Sequence, residues 1–207
     1  MATQVFDCSK DSERVEGVQA AASAIRRGEL VVVPTDTVYG VAADAFNPTA
    51  VSALLAAKGR GRDMPVPVLV STEAMLEAIA ESIPPTGREL IAKYWPGALT
   101  LVLRHTAHLA WDLGDARGTV AVRMPDDPIA LELISATGPL AVSSANRTGH
   151  PAATTMLDAR LQLGAAVAAY LDGGPRTTAV PSTIVDLTRA APVVRREGAI
   201  PAADVLG

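Results

Sequence analysis

The 207 residues are 49% hydrophobic, enough apolar side chains for a sizeable core arranged as one large domain or two small ones. A net charge of -4 excludes a polycation that grips nucleic acid through bulk electrostatics, so any anion site must be local. The single cysteine, Cys8, excludes an internal disulfide and a cysteine-rich zinc site; with no basic-then-apolar leader and no apolar run of membrane-spanning length, the sequence reads as cytoplasmic and without membrane contact.

In chain order, Val18, Ala21, Ala22 and Ile25 share one side of a predicted helix over residues 15–27, closed by Gly28 and feeding a strand over 29–33. That strand stops at Pro34, and its tip is expected to present Thr35, Asp36, Thr37 and Tyr39 to solvent or ligand. Asn47-Pro48 supplies a cap followed by Pro in the first helical turn, and Val51, Leu54 and Leu55 carry the helix to Lys58. Lys58, Arg60 and Arg62 then alternate with Gly59 and Gly61. Three cations thrown together suit a phosphate; equally, they form a solvated C-terminal turn that complements the helix dipole.

A strand over 66–70 leads to a short helix ending at 79, capped by Ser71 or Thr72. Thr86 with Glu89 makes a capping-box pattern ahead of Leu90, Ile91 and Trp95, and Pro96-Gly97 ends that helix. Strands over 99–104 and 119–124 follow, then an Asp127-Pro128 start for a helix to 135, a short run over 140–142 that stops at Ser143-Ser144-Ala145-Asn146, a helix beginning near Thr154 or Thr155, and strands over 182–187 and 193–196. Strands and helices interleave without repeats or a linker, which predicts a single α/β domain with a mixed sheet and flanking helices; the pattern does not decide how much of the sheet is parallel. With only 3% aromatic residues, Tyr94, Trp95 and Trp111 read as packing anchors rather than a base-stacking platform.

Polar residues gather at predicted strand ends: Thr35 to Tyr39, Lys58 to Arg62, Thr119 with Arg123, Ser144 with Asn146, Ser182 with Thr183, and Arg195 with Arg196. In open α/β sheets such ends often converge on one crevice. Taken singly, each Ser, Thr or Asn is also an ordinary turn or cap residue. There is no phosphate loop, dinucleotide fingerprint or nucleophile elbow, and His105 and His108 lack a third metal ligand, so no protein-held metal is expected.

The motifs P-T-D-T-V-Y-G (34–40), A-K-G-R (57–60), P-V-P-V-L-V (65–70), Y-W-P-G (94–97), V-R-M-P (122–125), S-S-A-N-R-T-G (143–149) and P-S-T-I-V-D (181–186) occur in the order of the YrdC family of threonylcarbamoyl-AMP synthases, and the chain resembles that family over nearly its whole length. The resemblance implies a twisted mixed sheet with a large concave cavity. It also implies an ATP-dependent nucleotidyltransferase that joins L-threonine and bicarbonate as a carbamate. The carbamate attacks the α-phosphate of ATP to give threonylcarbamoyl-AMP and pyrophosphate for tRNA threonylcarbamoyladenosine. Mg²⁺ would come with ATP, downstream threonylcarbamoyl-transferase proteins would take the product, and any contact with tRNA would be weak.

By that resemblance Lys58, Arg60, Ser144 and Asn146 are the catalytic set and hold nucleotide phosphates and carbonate, with Thr119 and Arg196 as further nucleotide contacts. Thr37, Arg123, a backbone group near Val142, and Ser182 would surround threonine, Arg123 pairing its carboxylate. The chain departs from the pattern at Met64, where Asn is common and Arg62 is the candidate replacement, at Leu69, where some members have His, and at Ala152, where Ser is common. One domain over 1–207, without the additional C-terminal domain of longer members, is expected. The rival readings are a non-catalytic RNA-binding module with a concave basic surface, which the acidic net charge opposes, and a hydrogenase-maturation carbamoyltransferase, for which the chain is too short and too poor in cysteine. A third is a member that has lost activity, which the retained K-x-R and S-x-N residues oppose.

Overall fold

Residues 3–177 and 179–206 are described by the structure, a computed structural model. The strands are β1 (Gln4–Asp7), β2 (Leu30–Val33), β3 (Gly40–Asp44), β4 (Val68–Leu69), β5 (Leu99–Arg104), β6 (Thr119–Arg123), β7 (Leu140–Ser144), β8 (Val167–Asp172), β9 (Thr183–Asp186) and β10 (Val193–Arg196). The helices are α1 (Asp11–Arg26), α2 (Pro48–Lys58), α3 (Glu73–Ile79), α4 (Pro85–Tyr94), α5 (Pro128–Thr137), α6 (Met156–Leu163) and α7 (Ala202–Leu206). All ten strands join one sheet in the order β1-β8-β2-β3-β7-β4-β6-β5-β9-β10.

The sheet is mixed. β8 runs parallel to both β1 and β2, β4 to β6 and β5 to β9, while β2/β3, β3/β7, β4/β7, β5/β6 and β9/β10 are antiparallel. β2 is buried on both faces: Val31 and Val33 pack with α1 and α5 residues such as Ile25 and Leu133, while Leu30 and Val32 join the opposite layer with Leu54 of α2 and Leu76 of α3. A period of two on a sheet covered on both sides explains why the strand reads as an unbroken apolar run.

Several helix starts follow their sequence signals. Asn47, Thr72, Asp127 and Thr155 each accept a backbone N–H with their side chain, and Gly59 closes α2 at φ 61. The Thr86–Glu89 capping box is not used: α4 starts at Pro85 with Pro84 in the cap position and no side-chain cap. Two consecutive prolines, with their φ preset, enter the helix before Thr86 can lie outside it. The helix predicted over 15–27 begins earlier, at Asp11, and the run predicted to stop at Val142 continues as strand through Ser144.

Three strands, β1, β3 and β8, escaped the sequence reading. β3 is Gly-Val-Ala-Ala-Asp and β8 is Val-Ala-Ala-Tyr-Leu-Asp; their small residues lack β-propensity, and burial on both faces removes the alternation that marks a strand. Their small size is nevertheless what the middle of the sheet needs. A Cβ on Gly40 would lie 2.6 Å from Val142 Cγ1 of the adjoining β7.

Candidate active site

A cavity of about 630 Å³ opens where the β2–β3 turn, the ends of β6 and β7, the segment before β4, and β5, β9 and β10 converge. Arg60, Arg123, Arg195 and Arg196 reach its wall, together with hydroxyls from Thr35, Thr37, Thr119, Ser143, Ser144 and Ser182. Among the described residues lining it there is no Asp or Glu, although the chain as a whole carries a charge of -4. The positive field is therefore local and concentrated in a concave, partly desolvated space, where it acts most strongly on an anion.

The end of α2 splits the three cations that the sequence had grouped. Lys58 is 3% exposed, and its Nζ donates to the Ser144 carbonyl, to the Asn146 carbonyl at 2.6 Å and to Asn146 Oδ1 at 3.4 Å. Burial, helped by the charge of Arg60, pulls its ammonium down from the usual 10.5 to about 8. The lysine thus stands behind the Ser144–Asn146 turn and organises it. Arg60, beyond the left-handed Gly59, enters the cavity and donates to Met64 O at 2.9 Å, Ser143 Oγ at 2.9 Å and Pro65 O at 3.1 Å. Arg62 instead turns away to Asp112 at 2.7 Å and Asp115 at 3.7 Å and is largely exposed. It does not line the cavity here; exposed carboxylates nearby hold it.

The β2–β3 turn is buried rather than open to solvent. Thr35 and Thr37 are 4% and 3% exposed and still reach the cavity. Asp36, expected at the tip, pairs with Arg123 at 2.5 Å and accepts the Asp126 N–H at 3.0 Å. Tyr39 is wholly buried, its hydroxyl donating to Gly174 O at 2.7 Å, and burial pushes its phenol well above the usual range. Arg123 donates to Gly97 O at 2.9 Å and Thr37 Oγ1 at 3.0 Å besides Asp36, leaving part of its fork free on the cavity side. Burial lowers its pKa, opposed by Asp36.

Across the cavity, Ser182 Oγ lies 2.8 Å from Thr100 Oγ1, and Arg196 donates to Ser182 O at 2.8 and 3.1 Å. Val142 donates its N–H to Pro67 O at 2.8 Å; Pro67 has no N–H to return the bond to the carbonyl of Val142, a residue that lines the cavity. Asn146 is held by its own amide, which donates to Arg147 O and His150 O at 2.8 Å each.

Of the residues assigned from resemblance, Thr37, Arg60, Thr119, Arg123, Val142, Ser144, Asn146, Ser182 and Arg196 all line this one cavity, and Lys58 sits directly behind it. Leu69 and Ala152, where the chain departs from the pattern, line it too. Thr100 was missed, yet it was legible: in Leu-Thr-Leu-Val-Leu-Arg the odd-numbered leucines pack in the core, and the alternation turns Thr100 and Val102 to the cavity.

A mixed α/β sheet with an arginine-lined, hydroxyl-rich hollow defines a class of protein whose site suits anionic groups. The Sua5_yciO_yrdC family model, described as Telomere recombination, matches residues 23–198, and the chain belongs to that family. A relative from Mycobacterium tuberculosis is 54% identical over 208 residues, covering 99% of this chain and 96% of its own length. Threonylcarbamoyl-AMP synthase of Pyrococcus abyssi is 38% identical over 196 residues, 93% of this chain and 58% of that protein. The crystal structure of P. abyssi Sua5 complexed with L-threonine superposes with a TM-score of 0.90 at 34% identity, over 99% of this chain and 60% of the longer one.

Proposed function

We propose that the protein is an L-threonylcarbamoyladenylate synthase, making threonylcarbamoyl-AMP from L-threonine, bicarbonate and ATP. The observation that carries this reading is the convergence of Arg60, Arg123 and Arg196 with Ser144, Asn146, Thr37 and Ser182 on one cavity whose described lining has no carboxylate. Triphosphate, carbonate and an amino-acid carboxylate are all anions, and they have to be brought together against their mutual repulsion.

The amine of threonine adds to the carbonate carbon with loss of water, giving a carbamate. A carbamate oxygen then bonds to the α-phosphorus while the bond to the bridging oxygen of pyrophosphate breaks. No protein nucleophile is needed. Arg60 and Arg196 take the phosphates, Ser144 and Asn146 orient them with carbonate, and Thr119 contacts the nucleotide. Arg123, keeping Asp36, directs its free donors at the threonine carboxylate, while Thr37 and Ser182 meet its polar groups and the Val142 carbonyl accepts from its nitrogen. Catalysis is then positioning plus preorganised charge. Mg²⁺ enters on the triphosphate as part of that substrate; among the described residues no three or more of His, Cys, Asp and Glu group where they could hold a metal ion.

Threonylcarbamoyl-AMP is a mixed anhydride of high transfer potential. Downstream threonylcarbamoyl-transferase proteins would carry it to tRNA adenosine in the cytoplasm, so this chain needs only weak tRNA contact. Among the described residues, no helix is long and apolar enough to cross a membrane. The test is to incubate the protein with ATP, Mg²⁺, bicarbonate and each amino acid in turn. Pyrophosphate release that depends on threonine is expected; release independent of the amino acid, or none, refutes the proposal.

A further inference from the structure

The turn that brings Thr35 and Thr37 to the cavity is gripped from behind by a residue outside the cavity wall. Arg176 lies in the connection between β8 and β9, which runs from the second strand of the sheet to the ninth. Its Nη1 donates to Thr35 O at 3.2 Å and to Asp127 Oδ2 at 2.9 Å. Nε and Nη2 donate to Gly174 O at 3.3 and 3.1 Å, Nη2 also to Gly173 O, and the backbone N–H to Thr154 O at 2.7 Å. The guanidinium sits 5.6 Å from the centre of the buried Tyr39 ring. A largely buried ion pair with every donor direction used costs desolvation and is a poor source of stability, but it fixes geometry tightly.

Two arginines thus hold opposite sides of the same short turn. Arg123 takes the Thr37 hydroxyl and Asp36 from the cavity side; Arg176 takes the Thr35 carbonyl from the far side, anchored by Asp127 at the cap of α5. The neighbouring Asp126 N–H completes the frame by donating to Asp36. We infer that Arg176 is a positioning residue for the amino-acid subsite: through the Thr35 carbonyl and the Asp127 carboxylate it fixes the turn on which Thr37 meets the substrate, without touching substrate itself. This rests on the threonine reading above.

If Arg176 is lost the turn is released on one side. The threonine KM and the Kd for L-threonine measured by calorimetry should rise about tenfold or more, on the way to the roughly 100-fold that a misplacement of 1 Å produces. The KM for ATP should stay within about twofold, because Arg60 is held by the Met64 and Pro65 carbonyls outside this connection and Arg196 by the Ser182 carbonyl at its far end. R176K keeps the charge but cannot span Thr35 O and Asp127 together, and should recover part of the affinity. D127N keeps the volume and a capping oxygen for α5 and should weaken threonine in the same direction. A purely structural arginine would lower Tm and leave threonine affinity untouched. Unchanged threonine KM and Kd in folded R176A, or in R176K and D127N where R176A does not fold, overturn the inference while leaving the function intact. A wild-type protein that neither binds threonine nor releases pyrophosphate with it overturns both.

Discussion

Lys58 and Arg60 are two residues apart and do different work. Arg60 reaches the cavity, and Arg60→Ala should cost roughly 100-fold or more in kcat/KM for threonine-dependent pyrophosphate release, the scale of one preorganised donor. Lys58 acts through the turn it holds, so its protonation sets the turn. With its ammonium at about 8 in the free protein, kcat/KM should fall as pH rises past 8, and the Lys58 Cε resonance should titrate over the same range. Stability moves the other way. The folded-state value lies below the usual 10.5, so between about 8 and 10.5 the unfolded chain holds more protons and stability rises with pH; below 8 both states are protonated and the full cost of burying the cation, about 3 kcal/mol, is present. A protein that loses activity and stability together above pH 8 would contradict this assignment. At the other proposed subsite, the buried hydroxyls of Thr37 and Ser182 should discriminate by what is left unpaired. Losing one methyl costs about 1 to 3 kcal/mol, whereas stranding a buried hydroxyl partner costs more, so serine should be turned over better than valine in the pyrophosphate assay. Equal rates would refute it.

The elements explain how these side chains are held in place, and where glycine is indispensable. Gly198 follows β10, donates its N–H to Thr183 Oγ1, and comes so close to the neighbouring chain that an added Cβ would lie 2.2 Å from Pro181 O and 2.7 Å from Ser182 O. Backbone cannot swing aside as a side-chain tip can. Gly198→Ala should therefore displace the Ser182 segment, lowering stability by about 1 to 3 kcal/mol in denaturant unfolding and weakening threonine as well. At this scale the sequence was unevenly legible. β5 and β10 match their predicted bounds, because Leu99 to Arg104 alternates and Val193 to Arg196 is a short β-branched run between turns. β3 and β8 were hidden because Ala-Ala pairs buried on both faces carry neither propensity nor period. The site shows the same division. The ordered motifs pointed to residues that the fold brings to one cavity or just behind it. Which of them touch the cavity was not legible: Lys58 and Tyr39 turn to backbone carbonyls, and Arg62 to Asp112, through contacts spanning 50 to 135 positions that local spacing does not encode.

For the whole molecule, the fold concentrates repulsion in a chain that is acidic overall. Burial lowers the pKa of Arg60 and Arg196, and the charge of Arg196 lowers those of Arg60 and Arg123 further. Each of these groups is therefore crowded by like charge and relieved by an anion, so ligand binding should stabilise the folded state. At 100 times its Kd a ligand contributes about 2.7 kcal/mol, and for a chain of this size that corresponds to a rise in Tm of roughly 5 to 10 °C. ATP with Mg²⁺ should produce a rise of this order at low ionic strength and a smaller one at high salt, since phosphate pairing is screened where the cavity meets solvent. Arg60→Ala and Arg196→Ala should each lose most of the ATP-induced shift. The unliganded variants should melt close to the wild-type temperature, because relief of the crowded cations offsets the hydrogen bonds lost with each arginine. An ATP shift that survives both substitutions would mean that the nucleotide binds elsewhere, and that the convergence of these arginines serves something other than the triphosphate.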